Sequence, residues 1–142
     1  MKDYSDRVNN HEDYLKLLNN LEKKTREIEY VLIDDDQTFV NAFSQEILFM
    51  NLKRKWWGTK SSHQNKVYRL KATKDIFRYL RRFETFCKYE ISEKGDQVIE
   101  TDFGINDIAF FDSQKEPLLY VTAHEGYIMI REDLLKDMEM IL

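Results

Sequence analysis

One cysteine, one proline and four glycines in 142 residues leave this chain short of the signals by which most sequences announce their chemistry. Cys87 stands alone, which excludes an internal disulfide framework and a cysteine-based zinc site and suits a reducing compartment. The sparse glycine and proline predict regular elements joined by short connections. No apolar run approaches the ~18 residues needed to span a bilayer. The opening segment, Met1-Lys2-Asp3-Tyr4-Ser5-Asp6-Arg7, is polar and has no apolar signal core behind it. The expectation is a soluble cytoplasmic protein with no membrane partner. His11, His63 and His124 are scattered, with no pair at metal-ligand spacing. A phosphate-cradling glycine loop, a dinucleotide fingerprint and a Gly-x-Ser-x-Gly nucleophile turn are all missing. No cofactor is implied, and the sequence favours a protein that is not an enzyme.

What the chain has is apolar side chains and charge. Apolar residues make up 42% and aromatic residues 13%, enough for a packed core, and the 34% of charged residues are interleaved with them. The length is that of one domain, expected over residues 1–142 with residues 1–10 as a loose arm. The net charge of −4 hides a strong asymmetry. Residues 53–82 carry eleven Lys or Arg against Asp75 alone, or 11 − 1 = +10. The other residues carry (22 − 11) − (26 − 1) = −14.

From His11 to about Arg26, Tyr14, Leu15, Leu18 and Leu21 recur at helical spacing and predict an amphipathic helix. Ile28 to Ile33 reads as a strand that stops at Asp34-Asp35-Asp36. Gln37 to about Asn51 puts Phe39, Val40, Phe43, Ile47 and Met50 on one helical face. Leu52 to Asn65 has no period and predicts a loop, anchored by Trp56 and Trp57. Lys66 to Ala72 alternates as a half-buried strand with a basic outer face. Thr73 is a candidate N-cap for a helix to about Tyr89, with Ile76, Leu80, Phe83 and Cys87 on one side and Lys74, Arg78, Arg81 and Arg82 on the other. Short strands then follow at 97–101, 108–111, 118–122 and 127–130 between turn signals, and Glu132 to Leu142 closes on a helix. The predicted fold is α+β: a largely antiparallel sheet with helices packed mainly on one face.

Three constellations carry possible chemistry. Val31-Leu32-Ile33-Asp34-Asp35-Asp36-Gln37-Thr38 sets an Asp-x-Asp-x-Thr pattern after an apolar strand. It resembles the first motif of haloacid-dehalogenase-like phosphohydrolases over those eight residues. The resemblance implies Asp34 as nucleophile and Asp36 as general acid/base, with Mg²⁺ between the carboxylates and a phosphate. The commoner role of such acids is to cap the helix that follows. Cys87, on the apolar side of its predicted helix, reads as packing rather than as a reactive thiolate.

The basic centre is the third. Lys74, Arg78, Arg81 and Arg82 on a helix, Arg69 and Lys71 on an adjacent strand, and Lys53 and Arg54 beside Trp56 and Trp57 form a candidate surface for nucleic acid or an acidic partner. The alternative is that these cations pack against residues 83–142, whose balance is 5 − 14 = −9. A small acidic α+β chain without catalytic motifs is similar in size and composition to bacterial immunity and antitoxin proteins, which neutralise toxic enzymes. That resemblance favours an intracellular interaction protein, with an acidic surface including Asp102, Asp107, Asp112, Glu116 and Glu125 as its docking face. Nucleic-acid binding through residues 53–82 is the alternative, and phosphohydrolase chemistry at Asp34 and Asp36 a distant third.

Overall fold

The computed structural model describes residues 1–57, 59–99 and 101–136. Its elements are β1 (Lys2–Asp3), α1 (His11–Lys24), β2 (Glu27–Val31), α2 (Thr38–Ala42), a 3₁₀ turn (Ser44–Glu46), β3 (Ile47–Trp56), β4 (Thr59–Lys71), α3 (Lys74–Leu80), β5 (Lys88–Ser92), β6 (Gly95–Ile99), β7 (Asp107–Phe111), β8 (Pro117–Thr122), β9 (Tyr127–Ile130) and α4 (Glu132–Lys136). Seven strands form one sheet in the order β1-β9-β8-β7-β2-β4-β3, and β5 and β6 form a separate hairpin. Every pairing is antiparallel.

The period-2 rule decides what each face carries. On one face Ile28, Tyr30, Leu70, Ile108, Phe110, Leu119, Val121, Ile128 and Ile130 meet the apolar sides of α1, α2, α3 and α4 in a single core. Each fully buried Leu or Phe there contributes about 1.5–3 kcal/mol relative to exposure. Buried hydrogen bonds tie the helices together: Tyr14 Oη donates to Leu80 O at 2.5 Å, and Asn20 Nδ2 donates to Leu134 O at 2.6 Å. The predicted α+β fold with helices on one face is what the chain forms. The opposite face carries a smaller cluster of Val31, Val67, Ala109 and Phe111, and Trp56 completes it.

Four local expectations are corrected. The loose arm is tied down: Lys2 and Asp3 pair with Ile130 and Met129, and Val8 is fully buried with its carbonyl accepting from Thr85 Oγ1. The helix expected over 37–51 ends at Ala42, and from Ile47 the chain is extended. The loop expected over 52–65 is the middle of the long β3–β4 hairpin. The third helix stops at Leu80, because tertiary anchors take over beyond it: Glu84 N donates to Asp102 Oδ1 and Thr85 Oγ1 to Val8 O. Cys87 therefore precedes β5 rather than lying on a helix, but it is buried, and burial pushes its thiol up to about 12. The later strands lie where expected, within a residue or two at their ends. Met138, Ile141 and Leu142 fall outside the described residues.

The β3–β4 hairpin does not continue flat. Between the pairs Lys53↔Asn65 and Lys55↔Lys60, β3 advances 55 − 53 = 2 residues while β4 advances 65 − 60 = 5. Unequal strand lengths bend a ladder toward one side. The bend returns the hairpin tip across the open face of the sheet. Trp56 reaches β2, donating from Nε1 to Glu29 Oε1 at 2.6 Å, and Trp57 reaches β8, stacking on Tyr120 at 5.6 Å with a 24° interplanar angle.

Candidate interaction surface

The folded-back tip defines a groove of about 520 Å³ between hairpin and sheet, lined by Lys53, Lys55 and Lys60 from the hairpin, Arg69 and Glu29 from the sheet, and both tryptophans. Arg69 lies on its floor. Its guanidinium donates to Glu29 Oε2 at 2.6 Å and to Glu27 Oε1 at 3.3 Å, and it sits 4.1 Å over the Phe111 ring. Glu29 is thus a buried carboxylate held by Arg69 and by the Trp56 indole. Lys53, Lys55 and Lys60 make no ion pair among the described residues.

The basic centre read from the sequence is divided between two sides of the molecule. Lys53, Arg54 and Lys71 are exposed on the β3–β4 hairpin, and Trp56 is buried while Trp57 is 37% exposed. Lys74, Arg78 and Arg82 are exposed around α3, which packs on the opposite face of the sheet. Arg78 pairs with Asp75 at 3.2 Å, and Arg82 lies 5.4 Å from the Tyr79 ring. Arg81 is held by Glu22 at 2.7 Å and Asn19 at 2.9 Å, both on α1. Among the described residues, the acids paired with this stretch are Glu22, Glu27, Glu29 and Asp75, none of them in residues 83–142.

Of the five acids expected at a docking face, Asp102, Asp107 and Asp112 serve the fold. Asp107 is 1% exposed and accepts from Ala123 N and from His124 Nδ1 at 3.1 Å. Burial pushes its carboxyl above the usual range, while its hydrogen bond holds the His124 imidazole above the usual histidine range. Asp112 accepts from Gln114 N, Glu116 N and Arg131 Nη1 to close a turn. Asp102 accepts from Glu84 N. Glu116 is exposed and Glu125 partly so.

The acidic run after β2 is organised as a turn. Asn106 Oδ1 accepts from Ile33 N and Asp34 N, Asp34 Oδ1 accepts from Asp36 N, and Asp36 Oδ1 accepts from both Thr38 N and Thr38 Oγ1. The Thr38 hydrogen bonds hold the Asp36 carboxyl below its ordinary range. The strand that leads into this run pairs antiparallel on both sides, unlike the parallel strand ends at which open α/β sheets place their ligands.

The sequence reading missed the outer edge of the sheet. β3 is an edge strand ten residues long, and Leu48, Phe49, Met50 and Leu52 on it are 52%, 50%, 42% and 53% exposed. Native proteins shield such edges, because a row of unpaired backbone N–H and C=O groups templates pairing with another chain. Here the run Lys53-Arg54-Lys55 follows the apolar stretch directly. An apolar run ending in three cations is the available signal, hidden because the apolar spacing over 37–51 also fits a helix and 52–65 has no period. Comparison with protein-family models, with characterised proteins and with solved structures finds no match for this chain.

Proposed function

We propose that this chain is a non-enzymatic interaction protein that docks another protein along the open edge of β3. One observation carries the reading: a long edge strand exposes four large apolar side chains within five residues and then three cations. Exposed apolar patches of this kind mark interaction surfaces, and a free strand edge recognises an extended segment through its backbone. The partner that fits contributes a strand that is apolar opposite Leu48–Leu52 and acidic opposite Lys53, Arg54 and Lys55. The finer reading, an immunity- or antitoxin-type inhibitor of the bacterial cytoplasm, is supported by size and composition.

The three lysines of the basic groove, without an ion pair among the described residues, favour nucleic acid as a second reading. Against it, Glu29 lies in the groove floor, Trp56 is buried, and Trp57 already stacks on Tyr120. A single variant pair separates the two. Leu48→Lys/Leu52→Lys places charges on an edge that strand pairing would desolvate, while adding cations that phosphates attract. The test captures partners with tagged wild-type protein after nuclease digestion, then rebuilds the complex from purified components. We expect a stoichiometric protein complex that withstands moderate salt and is lost in the variant. Equal binding by the variant would contradict the proposal. Failure to rebuild any protein complex, with tighter retention of RNA or DNA by the variant at low salt, would favour nucleic acid.

A further inference from the structure

Trp57 divides the open face, and beyond it lies a second cleft with the opposite charge. This cavity of about 240 Å³ has Trp57, Tyr120, Tyr127 and Met129 as walls, Asp3 and Glu125 at its rim, and Thr122 in its lining. Among the described residues no Lys, Arg or His lines it, and His124 Nε2 lies 3.3 Å from Glu125 Oε1 beside it. Lys2, the neighbour of Asp3, is turned to Glu132, which it meets at 3.0 Å. Asp3 is fixed through Oδ1, which accepts from Ser5 N at 3.0 Å and Ile128 N at 3.4 Å. The lining also includes Thr122, which is 2% exposed and whose hydroxyl makes no hydrogen bond among the described residues. Buried hydroxyls are normally satisfied, and this one belongs to a residue of the cavity lining.

We propose that this cleft binds an alkylammonium or alkylguanidinium group. The Asp3 carboxylate, with Glu125 and its His124 neighbour beside it, attracts a positive charge, and the Tyr127 ring together with the parts of Trp57 and Tyr120 outside their mutual stack attract a cation through the ring quadrupole. Met129 and the ring edges pack against the apolar stem that such a group carries. Thr122 Oγ1 accepts one of its N–H donors. An anion is repelled here, and a neutral apolar group brings no charge to offset that of Asp3. Apart from Trp57 on the hairpin tip, the cleft is built on β8, β9, β1 and the turn between β8 and β9, and it includes none of residues 48–55, so this inference stands apart from the proposed docking strand.

The test titrates the whole protein with three capped tripeptides, Gly-Arg-Gly, Gly-Lys-Gly and Gly-norleucine-Gly, and with free agmatine. Binding is read from tryptophan fluorescence and from amide shifts at Tyr120, Thr122, Tyr127 and Met129. Saturable shifts with the cationic probes, at least tenfold tighter than with the norleucine peptide, are expected. Preference for the peptides identifies a partner's side chain as the natural ligand, and preference for agmatine a free amine; either supports the site. Asp3→Asn/Glu125→Gln should weaken binding about tenfold, at the scale of two partly exposed charge contacts. Thr122→Val, which keeps the shape and removes the hydroxyl, should weaken it severalfold with the fold intact. Equal binding of the norleucine peptide, or no saturable shift with any cationic probe, would overturn the proposal. That comparison needs only the wild-type protein, so it decides the matter even if a variant does not fold.

Discussion

Replacing Arg69 by methionine tests how the hairpin tip is held on the sheet. The substitution keeps an apolar stem over Phe111 but removes both ion pairs, at 2.6 Å to Glu29 and 3.3 Å to Glu27. Glu27, with 26% of its side chain exposed, can turn to water, whereas Glu29 has only 6% exposed and cannot. Leaving a buried charge without its partner costs about 3–5 kcal/mol. The Trp56 indole still donates to Glu29 at 2.6 Å, which places the expected loss near the lower end, about 3 kcal/mol. Adding Glu29→Leu removes the stranded charge and leaves only the Trp56 N–H unsatisfied, a loss of about 1–3 kcal/mol. The double variant should therefore be no less stable than Arg69→Met alone, although it carries one more substitution. Urea unfolding followed by tryptophan fluorescence measures both, and acrylamide quenching under native conditions reports whether the tip has lifted. A loss below about 1 kcal/mol for Arg69→Met, or losses that simply add in the double variant, would refute this account of the Glu29–Arg69–Trp56 network.

Two further outcomes follow from local chemistry. Thr73 Oγ1 accepts from Ile76 N at 3.4 Å, so Thr73→Ala should cost about 0.5–1 kcal/mol, the low end for a cap whose bond is long; no change in urea midpoint would remove Thr73 from the account of α3. The His124 imidazole is raised by its bond to Asp107, so its contribution is fully present below the unfolded value of 6.5 and is lost as pH rises through the folded value. The melting temperature should accordingly fall from about pH 6 to about pH 8, and His124→Gln should flatten that dependence; an unchanged slope in the variant would exclude the pair as its source.

The legible parts of this fold are those where local pattern and tertiary need agree. Tyr14, Leu18 and Leu21 share a helical face and are all buried, and β7, β8 and β9 lie between turn signals. Thr73 caps its helix as its position predicts. Ile47-Leu48-Phe49-Met50 fails because a short apolar run without alternation suits helix and strand equally, and pairing with β4 decides it. The charge of the basic centre could be counted in advance, but its division could not. That depends on α3 packing on one face of the sheet while the hairpin bends over the other. The acids that meet its arginines likewise come from register and packing, with Glu29 opposite Arg69 on the neighbouring strand and Glu22 across from Arg81 on α1.

The central claim is that β3 is a docking edge, and backbone hydrogen exchange along residues 47–56 with the rebuilt partner tests it most directly. Amides of β3 that exchange rapidly in the free protein should become strongly protected in the complex, with little change on α3. Protection that leaves β3 unchanged and appears instead around Lys74, Arg78 and Arg82 would contradict it.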